Sequence, residues 1–193
     1  MMSKPQLVLD AAGVIVTNLS ESFWEEIAQN SKVSFSDFRA SFKKEIREAL
    51  WTGEISEEEF WRWLALQCSE IEQDYAGILR KHLKLLPNTN WLPIWSKVAD
   101  IHLLSNHRHE WLLGLLEPLS LYLKTITISS QVGCCKPDLA IYEIVRSNTK
   151  KNRTIYVDDQ EKNLEPARRI GWTTVIADEE GKWTEEVTKL LQE

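Results

Sequence analysis

The sequence is poor in the residues that characterise disulfide-rich, zinc-binding and membrane proteins. It has only three cysteines, Cys68, Cys134 and Cys135, and their spacing fits no zinc site. Neighbouring cysteines rarely pair with each other, so we expect free thiols and a cytoplasmic location. No apolar run approaches the roughly 20 residues of a membrane helix, and Asp10 interrupts the one apolar run near the amino end. We therefore expect no signal peptide and no membrane association.

Basic residues are also outnumbered, with 23 Lys and Arg against 29 Asp and Glu. The net charge of −6 argues against a nucleic-acid partner, and we interpret the basic pairs Lys43–Lys44 and Lys150–Lys151 as solvated faces. The 43% hydrophobic content is enough for one core with a small accessory module. No internal repeat or low-complexity segment is present.

What the chain does contain is a set of apolar runs that end in polar residues. Residues 7–9 form a short apolar run that ends at Asp10, with a glycine turn after it. Strands predicted at 101–104, 125–128, 154–157 and 173–176 alternate with helices, which predicts an α/β fold with a parallel sheet covered on both faces. Ligands bind at the carboxyl ends of the strands in such sheets. Other polar or charged residues follow later segments of the chain, namely Ser105–Asn106, Lys136 and Asp158–Asp159.

Residues 18–86 are predicted to be helical throughout, which is too long for a single crossover. Four helices are expected there. The first is capped by Ser20, the second by Ser34 or Ser36, the third by a Ser56–Glu59 capping box, and the fourth covers about 71–85. The segment also holds four of the nine tryptophans. We interpret these as packing of a small helical module rather than as an aromatic pocket, with Trp51, Glu54 and Trp61 as the candidates for substrate contact.

The second half of the chain is predicted to hold the remaining helices. Pro137 is expected to open one of them, and Pro166 is expected to lie in the first turn of another. These helices are predicted at 91–98, 107–116, 138–147, 163–170 and 184–191.

The residues at the strand ends fit phosphoryl transfer through an aspartyl intermediate. That chemistry needs a carboxylate nucleophile, donors for the phosphoryl oxygens, a lysine, and carboxylates for a magnesium ion. Two adjacent acids such as Asp158 and Asp159 repel each other and so favour a bound cation.

The order of these segments resembles the haloacid-dehalogenase-like (HAD) superfamily, whose first motif is Asp-x-Asp-Gly-Thr/Val. The likeness covers nearly the whole chain, and its length and layout are closest to small bacterial phosphatases acting on sugar phosphates or similar metabolites. The resemblance implies a Rossmann-like core at 1–17 and 87–193 and a small helical cap at 18–86. It also implies Mg²⁺ as cofactor, a small phosphorylated metabolite as partner, and a monomer or a homodimer.

The resemblance assigns a role to each motif residue. Asp10 would be the nucleophile and a metal ligand, Lys136 would be catalytic, and the backbone carbonyl of Ala12 would bind the metal. Of Asp158 and Asp159, one would bind Mg²⁺ directly and the other through water. The phosphoryl group would be bound by Ser105, Asn106 and Lys136.

One residue departs from the family pattern. The second carboxylate of the first motif, which protonates the leaving oxygen and later activates water in family phosphatases, is Ala12 here. General acid–base catalysis contributes about 10²–10⁴-fold. We therefore expect a HAD-like hydrolase of phosphatase type with reduced or unusual activity, acting on acyl or aryl phosphates that need little protonation.

Several alternatives stay open. His107 could carry the proton instead, although a histidine on a helix face is the simpler interpretation. The chain could be a catalytically inactive protein that binds a phosphorylated ligand or a protein partner. Dehalogenase- or phosphonatase-type chemistry ranks lower, since the latter needs a cap lysine for which Lys43 and Lys44 are the nearest candidates. A phospho-accepting receiver domain is disfavoured, because its acidic pair follows the first strand.

Overall fold

The computed structural model describes residues 4–19, 21–29, 31, 33–68, 74–149 and 153–193. Its centre is a five-stranded, all-parallel sheet in the order β3-β2-β1-β4-β5. The strands are β1 (Gln6–Leu9), β2 (Asp100–Ser105), β3 (Leu123–Ile128), β4 (Thr154–Asp158) and β5 (Thr173–Ile176). The sheet confirms the predicted α/β fold.

Strand β1 lies in the middle of the sheet. Leu9 is in register with Leu103 of β2 and with Val157 of β4. Leu7 and Leu9 belong to the hydrophobic cluster on one face of the sheet, whereas Val8 belongs to the cluster on the other. A strand buried on both faces is mostly apolar, which explains the apolar run at residues 7–9 that precedes Asp10.

Helices cover both faces of the sheet. Between β1 and β2 lie the inserted helices, which are α1 (Glu21–Gln29), α2 (Phe35–Ser41), a π-helical turn (Phe42–Ile46), α3 (Arg47–Thr52), α4 (Glu57–Gln67) and α5 (Tyr75–His82). The other α-helices are α6 (Leu92–Trp95), α7 (His109–Leu116), α8 (Ser129–Val132), α9 (Leu139–Asn148), α10 (Glu161–Arg169) and α11 (Trp183–Gln192), and 3₁₀ turns lie at Pro87–Trp91 and Glu117–Leu119. In the described ranges no helix is both long and apolar enough to cross a membrane.

Local capping explains where the inserted helices begin and end. The Ser34 hydroxyl accepts a hydrogen bond from the backbone N–H of Asp37, and Ser56 and Glu59 form the predicted capping box. Gly53 ends α3 in the left-handed conformation (φ 80°). Ser20 and residues 71–73, on which two other predictions depend, lie outside the described residues.

The tryptophans of the inserted helices mainly pack against other aromatic rings. Trp61 stacks on Tyr75 and on Trp111 of α7, with ring centroids 6.3 and 5.5 Å apart. Trp63 stacks on Phe60 at 6.2 Å. This aromatic cluster joins the inserted helices to α7 beside the sheet.

Two proline predictions and one helix boundary were wrong. Pro137 precedes α9 rather than opening it, because the Asp138 carboxylate accepts from the N–H of Ala140 and takes the N-cap position. Pro166 lies inside α10 beyond its first turn, because that helix begins at Glu161, two residues earlier than predicted. His107 precedes α7 instead of lying on it.

The helix predicted at 91–98 was also only partly correct. The chain there forms a 3₁₀ turn over Pro87–Trp91 and then the four-residue helix α6, Leu92–Trp95. A proline favours the first turn of a helix. Pro87 and Pro93 therefore start two short helical pieces where one longer helix was expected.

Candidate active site

The predicted strand-end residues meet at one edge of the sheet. Strand order reverses beside β1, since the chain first builds β2 and β3 on one side and then β4 and β5 on the other. Such a switch point leaves a crevice outside the carboxyl ends of the strands. A cavity of about 580 Å³ opens there, between this edge and the inserted helices, and Asp10, Lys136 and Asp159 line it.

Asp10 continues the β1 ladder and presents a buried carboxylate. Its backbone N–H donates to the carbonyl of Val157 at 2.9 Å. Its Oδ1 accepts from the N–H of Ala11 at 2.6 Å, and its Oδ2 lies 2.8 Å from Lys136 Nζ. Burial raises the pKa of Asp10 to about 8, an effect that Lys136 opposes. A cation placed near this carboxyl would favour its charged form.

Lys136 connects two carboxylates. Its Nζ donates to Asp158 Oδ2 at 2.7 Å and to Asp10 Oδ2 at 2.8 Å, and its side chain is only 1% exposed. Burial by itself lowers the pKa of Lys136, but these two carboxylates outweigh burial, and the net shift is upward. The lysine is therefore charged at neutral pH and held in one position.

Asp158 has both carboxylate oxygens occupied by donors. Oδ2 accepts from Lys136 and from the Tyr156 hydroxyl, while Oδ1 accepts from the Gln160 N–H and the Asn163 amide. Burial alone would raise the pKa of Asp158, but the Lys136 charge and these hydrogen bonds lower it. Asp158 therefore orients Lys136.

Asp159 differs from its neighbour because it faces the cavity. Its Oδ2 accepts a 3.0 Å hydrogen bond from the Asn18 amide, and its Oδ1 accepts a 3.4 Å one from the Gln160 amide. A Cβ at Gly13 would lie 2.5 Å from Oδ2. Carboxylate oxygens of Asp10, Asp158 and Asp159 lie within 4.8 Å of one another. Mg²⁺ takes oxygen ligands of this kind, so the donor set fits that ion.

Ser105 is the last residue of β2 and Asn106 follows it, and their side chains have different hydrogen-bond partners. The Ser105 hydroxyl is fully buried, and its Oγ has no hydrogen-bond partner in the described part of the chain. Asn106 exchanges two 2.8 Å hydrogen bonds with the backbone of Lys136. The serine thus has a donor to spare, whereas the Asn106 amide fixes the position of Lys136.

Comparison with known proteins identifies the architecture. The sequence matches no protein-family model and no curated protein. The structure is similar to a predicted HAD-like family hydrolase from Porphyromonas gingivalis, with a TM-score of 0.78, 22% identity and 98% of both chains covered. A HAD family enzyme from Bacteroides thetaiotaomicron, solved with magnesium and inorganic phosphate, gives a TM-score of 0.81 at 18% identity over 95% of this chain and 99% of that one. The chain has the HAD-like fold.

Two further solved structures share this fold. An Asp-to-Ala variant of the Bacteroides thetaiotaomicron enzyme was also solved with magnesium and inorganic phosphate, at a TM-score of 0.80 and 19% identity over 96% of this chain and 99% of that one. A dehalogenase gives a TM-score of 0.64 at 22% identity over 94% of this chain and 88% of that one. The fold therefore includes both magnesium–phosphate complexes and dehalogenases.

Ala12 and His107 are two further residues of the cavity lining. Ala12 lines the cavity with a methyl group, which has no proton that it could transfer. His107 also lines the cavity, and its Nε2 lacks a hydrogen-bond partner among the described residues. Burial lowers the pKa of His107 to about 4. The imidazole is therefore neutral at pH 7 and carries a single ring proton, on one of its two nitrogens.

Sequence reasoning considered Lys43 as a candidate cap lysine and missed the other basic side chains of the cavity wall. Arg39, Lys43, Arg47 and Lys162 line the cavity together with Trp51, whereas Lys44 does not. The pair Lys43–Lys44 was interpreted as a solvated face, and both side chains are exposed, with Lys43 also at the cavity wall. The spacing of four residues from Arg39 to Lys43 to Arg47 is the signal that could have shown a common helix face.

Proposed function

We propose that this chain is a HAD-like hydrolase of phosphatase type that acts on a small phosphorylated metabolite. The observation that carries the proposal is the geometry of Lys136, whose Nζ lies within 2.8 Å of carboxylates from β1 and β4. A buried lysine between a candidate nucleophile and an acidic pair fits the binding of a doubly charged phosphoryl group beside a cation. Core residues 1–17 and 87–193 with a cap at 18–86 remain part of the proposal.

Asp10 would carry the covalent step. A carboxylate oxygen of Asp10 attacks phosphorus, the bond from phosphorus to the leaving oxygen breaks, and that oxygen keeps the electron pair. Water then attacks the same phosphorus, the bond from phosphorus to Asp10 breaks, and inorganic phosphate leaves. Lys136 would offset the phosphoryl charge, and the spare hydroxyl proton of Ser105 would be donated to a phosphoryl oxygen.

A magnesium ion would be held by the Asp10 and Asp159 carboxylates and by the backbone carbonyl of Ala12. When bound, the ion supplies positive charge that lets an anionic nucleophile approach an anionic phosphoryl group. Asp159 is the better direct ligand of the acidic pair, because Asp158 already accepts four hydrogen bonds. Asp158 would then act by positioning Lys136.

The absence of an acid at Ala12 restricts which leaving groups can depart readily. A departing alkoxide needs a proton, whereas the carboxylate released from an acyl phosphate or the phenolate released from an aryl phosphate needs little help. The neutral His107 supplies no replacement acid at pH 7. We therefore expect activated phosphates to be the better substrates.

A second candidate is a catalytically inactive protein that binds a phosphorylated ligand. Ala12 favours it, because the magnesium and phosphate groups would persist without the proton carrier. The Asp-to-Ala variant of the Bacteroides thetaiotaomicron enzyme, which was solved with both, supports this reasoning. Dehalogenation ranks lower, since three carboxylates within 4.8 Å of one another favour a bound cation.

Hydrolysis of acetyl phosphate and para-nitrophenyl phosphate with Mg²⁺ tests the proposal. We expect the wild type to hydrolyse both and Asp10→Asn to lose that activity. A wild type that is inert while Ala12→Asp gains turnover would favour the binding protein instead. Activity that persists in Asp10→Asn would rule out the aspartyl intermediate.

A further inference from the structure

Four basic side chains converge on the cavity without a role in the proposed phosphoryl transfer. Arg39, Lys43 and Arg47 come from the inserted helices and Lys162 from α10, on the sheet side of the cavity. The first three are spaced four residues apart, which places them on one helical face. The π-helical turn Phe42–Ile46 lies within this stretch, and such turns often occur at functional sites.

Three of these four charges have no counter-charge within the described part of the chain. In the described ranges, Lys43, Arg47 and Lys162 form no ion pair within 4 Å. The described acids that line the cavity are Asp10 and Asp159, which already face Lys136 and the candidate metal site. Burial lowers the pKa of Lys162, and the Arg47 charge is the next contribution to that shift. Like charges that face one cavity from opposite sides repel each other, and an anion bound between them would be stabilised.

The acidic character of the whole protein strengthens this point. The chain carries a net charge of −6, so a local excess of positive charge inside one cavity is not a general property of its surface. Such a cavity attracts anionic ligands. The transferred phosphoryl group already has Lys136 and the candidate magnesium ligands.

We propose that Arg39, Lys43, Arg47 and Lys162 form a second anion subsite, and that the substrate carries a second anionic group, a carboxylate or a phosphate, on the part that leaves. This inference rests on the proposed function, because it assumes that the phosphoryl group sits at Asp10. Trp51 and Phe42 line the same cavity, and they would contact the apolar portion between the two anionic groups.

Calorimetric binding of non-hydrolysable phosphonates to the full chain with Mg²⁺ tests the subsite. The ligands are phenylphosphonate, 4-carboxyphenylphosphonate and 1,4-phenylenediphosphonate, which differ only in the second anion, with inorganic phosphate as the reference for the first site. We expect the two ligands with a second anion to bind at least about fivefold more tightly than phenylphosphonate. The tighter of the two identifies the second group as a carboxylate or a phosphate.

Variants locate the effect. Lys43→Gln and Arg47→Gln should each reduce this advantage by about two- to fivefold and leave the Kd of phenylphosphonate within about twofold. Lys44→Gln is the matched control, because this neighbouring lysine does not line the cavity, and it should change neither value.

The outcomes separate the two proposals. Equal affinity for all three phosphonates in the wild type overturns the second subsite but leaves phosphate binding at Asp10 intact. An advantage that survives in the Lys43→Gln/Arg47→Gln double variant, or that Lys44→Gln reduces equally, also overturns it. If inorganic phosphate and all three phosphonates fail to bind with Mg²⁺, the proposed function fails and the second subsite fails with it.

Discussion

Replacing Lys136 with methionine should be among the most destabilising changes near the site. The ammonium group lies 2.8 Å from Asp10 Oδ2 and 2.7 Å from Asp158 Oδ2, and the carboxylate side chains are 4% and 0% exposed. Methionine keeps the length of the chain but leaves two buried carboxylates without a cation. Removal of one partner from a buried ion pair costs about 3–5 kcal/mol. We expect a loss of that size in the free energy of unfolding at pH 9.

The loss should depend on pH. Asp158 keeps its donors from Tyr156, Gln160 and Asn163, whereas Asp10 keeps only the Ala11 N–H among the described residues. The pKa of Asp10 is about 8 with Lys136 present, and without this cation it would rise further. An acid whose folded pKa lies above its unfolded pKa loses stability as the pH rises through that interval. At pH 5 Asp10 is protonated in the folded variant, so the penalty should be much smaller there.

Urea denaturation of the wild type and Lys136→Met at pH 5 and pH 9, with a chelator present, measures this difference. Lys44→Met is the control for loss of an exposed lysine and should change stability by less than about 0.5 kcal/mol. Addition of Mg²⁺ should stabilise the wild type, because an ion that binds only the folded state raises the free energy of unfolding. A loss below about 1 kcal/mol, or one equal at both pH values, would refute the buried-charge reasoning.

Two glycines provide further tests. A Cβ at Gly13 would lie 2.5 Å from Asp159 Oδ2, so Gly13→Ala should displace that carboxylate and weaken Mg²⁺ binding at least about tenfold in calorimetry. A Cβ at Gly53 would lie 2.2 Å from the carbonyl oxygen of Ser130, so Gly53→Ala should destabilise the fold by more than about 2 kcal/mol in urea denaturation. Gly133→Ala is the matched control for both, since Gly133 has a similar φ of 76° but a Cβ there would meet no atom of the described residues within 4 Å. It should lose about 1–2 kcal/mol and keep its Mg²⁺ affinity, and a Gly53→Ala variant no less stable than this control would contradict the clash.

The strand-end residues could be predicted because their signals are local. An apolar run that ends at a carboxylate predicts both the strand and the position of Asp10, and the parallel register then brings Ser105 and Asp158 to the same edge. The Ser56–Glu59 capping box was equally local, since three residues of separation suffice to define it. Roles for these residues in catalysis remain predictions.

Other features depend on contacts that sequence spacing does not reveal. Asp138 takes the N-cap position of α9, which excludes Pro137 from the helix. The start of α10 follows from the Gln160 N–H that donates to Asp158, a contact between a strand end and a helix. The four-residue spacing of Arg39, Lys43 and Arg47 indicates a common face, but which face lines the cavity depends on how the inserted helices pack beside the sheet edge.

The absent acid and the basic cavity wall favour the same substrate chemistry. A leaving group that departs as a carboxylate or a phenolate needs little help from a proton at Ala12, and the separate anionic group that it carries would bind Arg39, Lys43, Arg47 and Lys162. For such a substrate, a restored acid adds little to the rate, whereas for an alkyl phosphate it should add up to about 10²–10⁴-fold. Ala12→Asp should therefore raise the kcat/KM of an alkyl phosphate far more than that of an acyl phosphate. If both rise by the same factor, the leaving group is not what the alanine selects, and the two features of the cavity have separate causes.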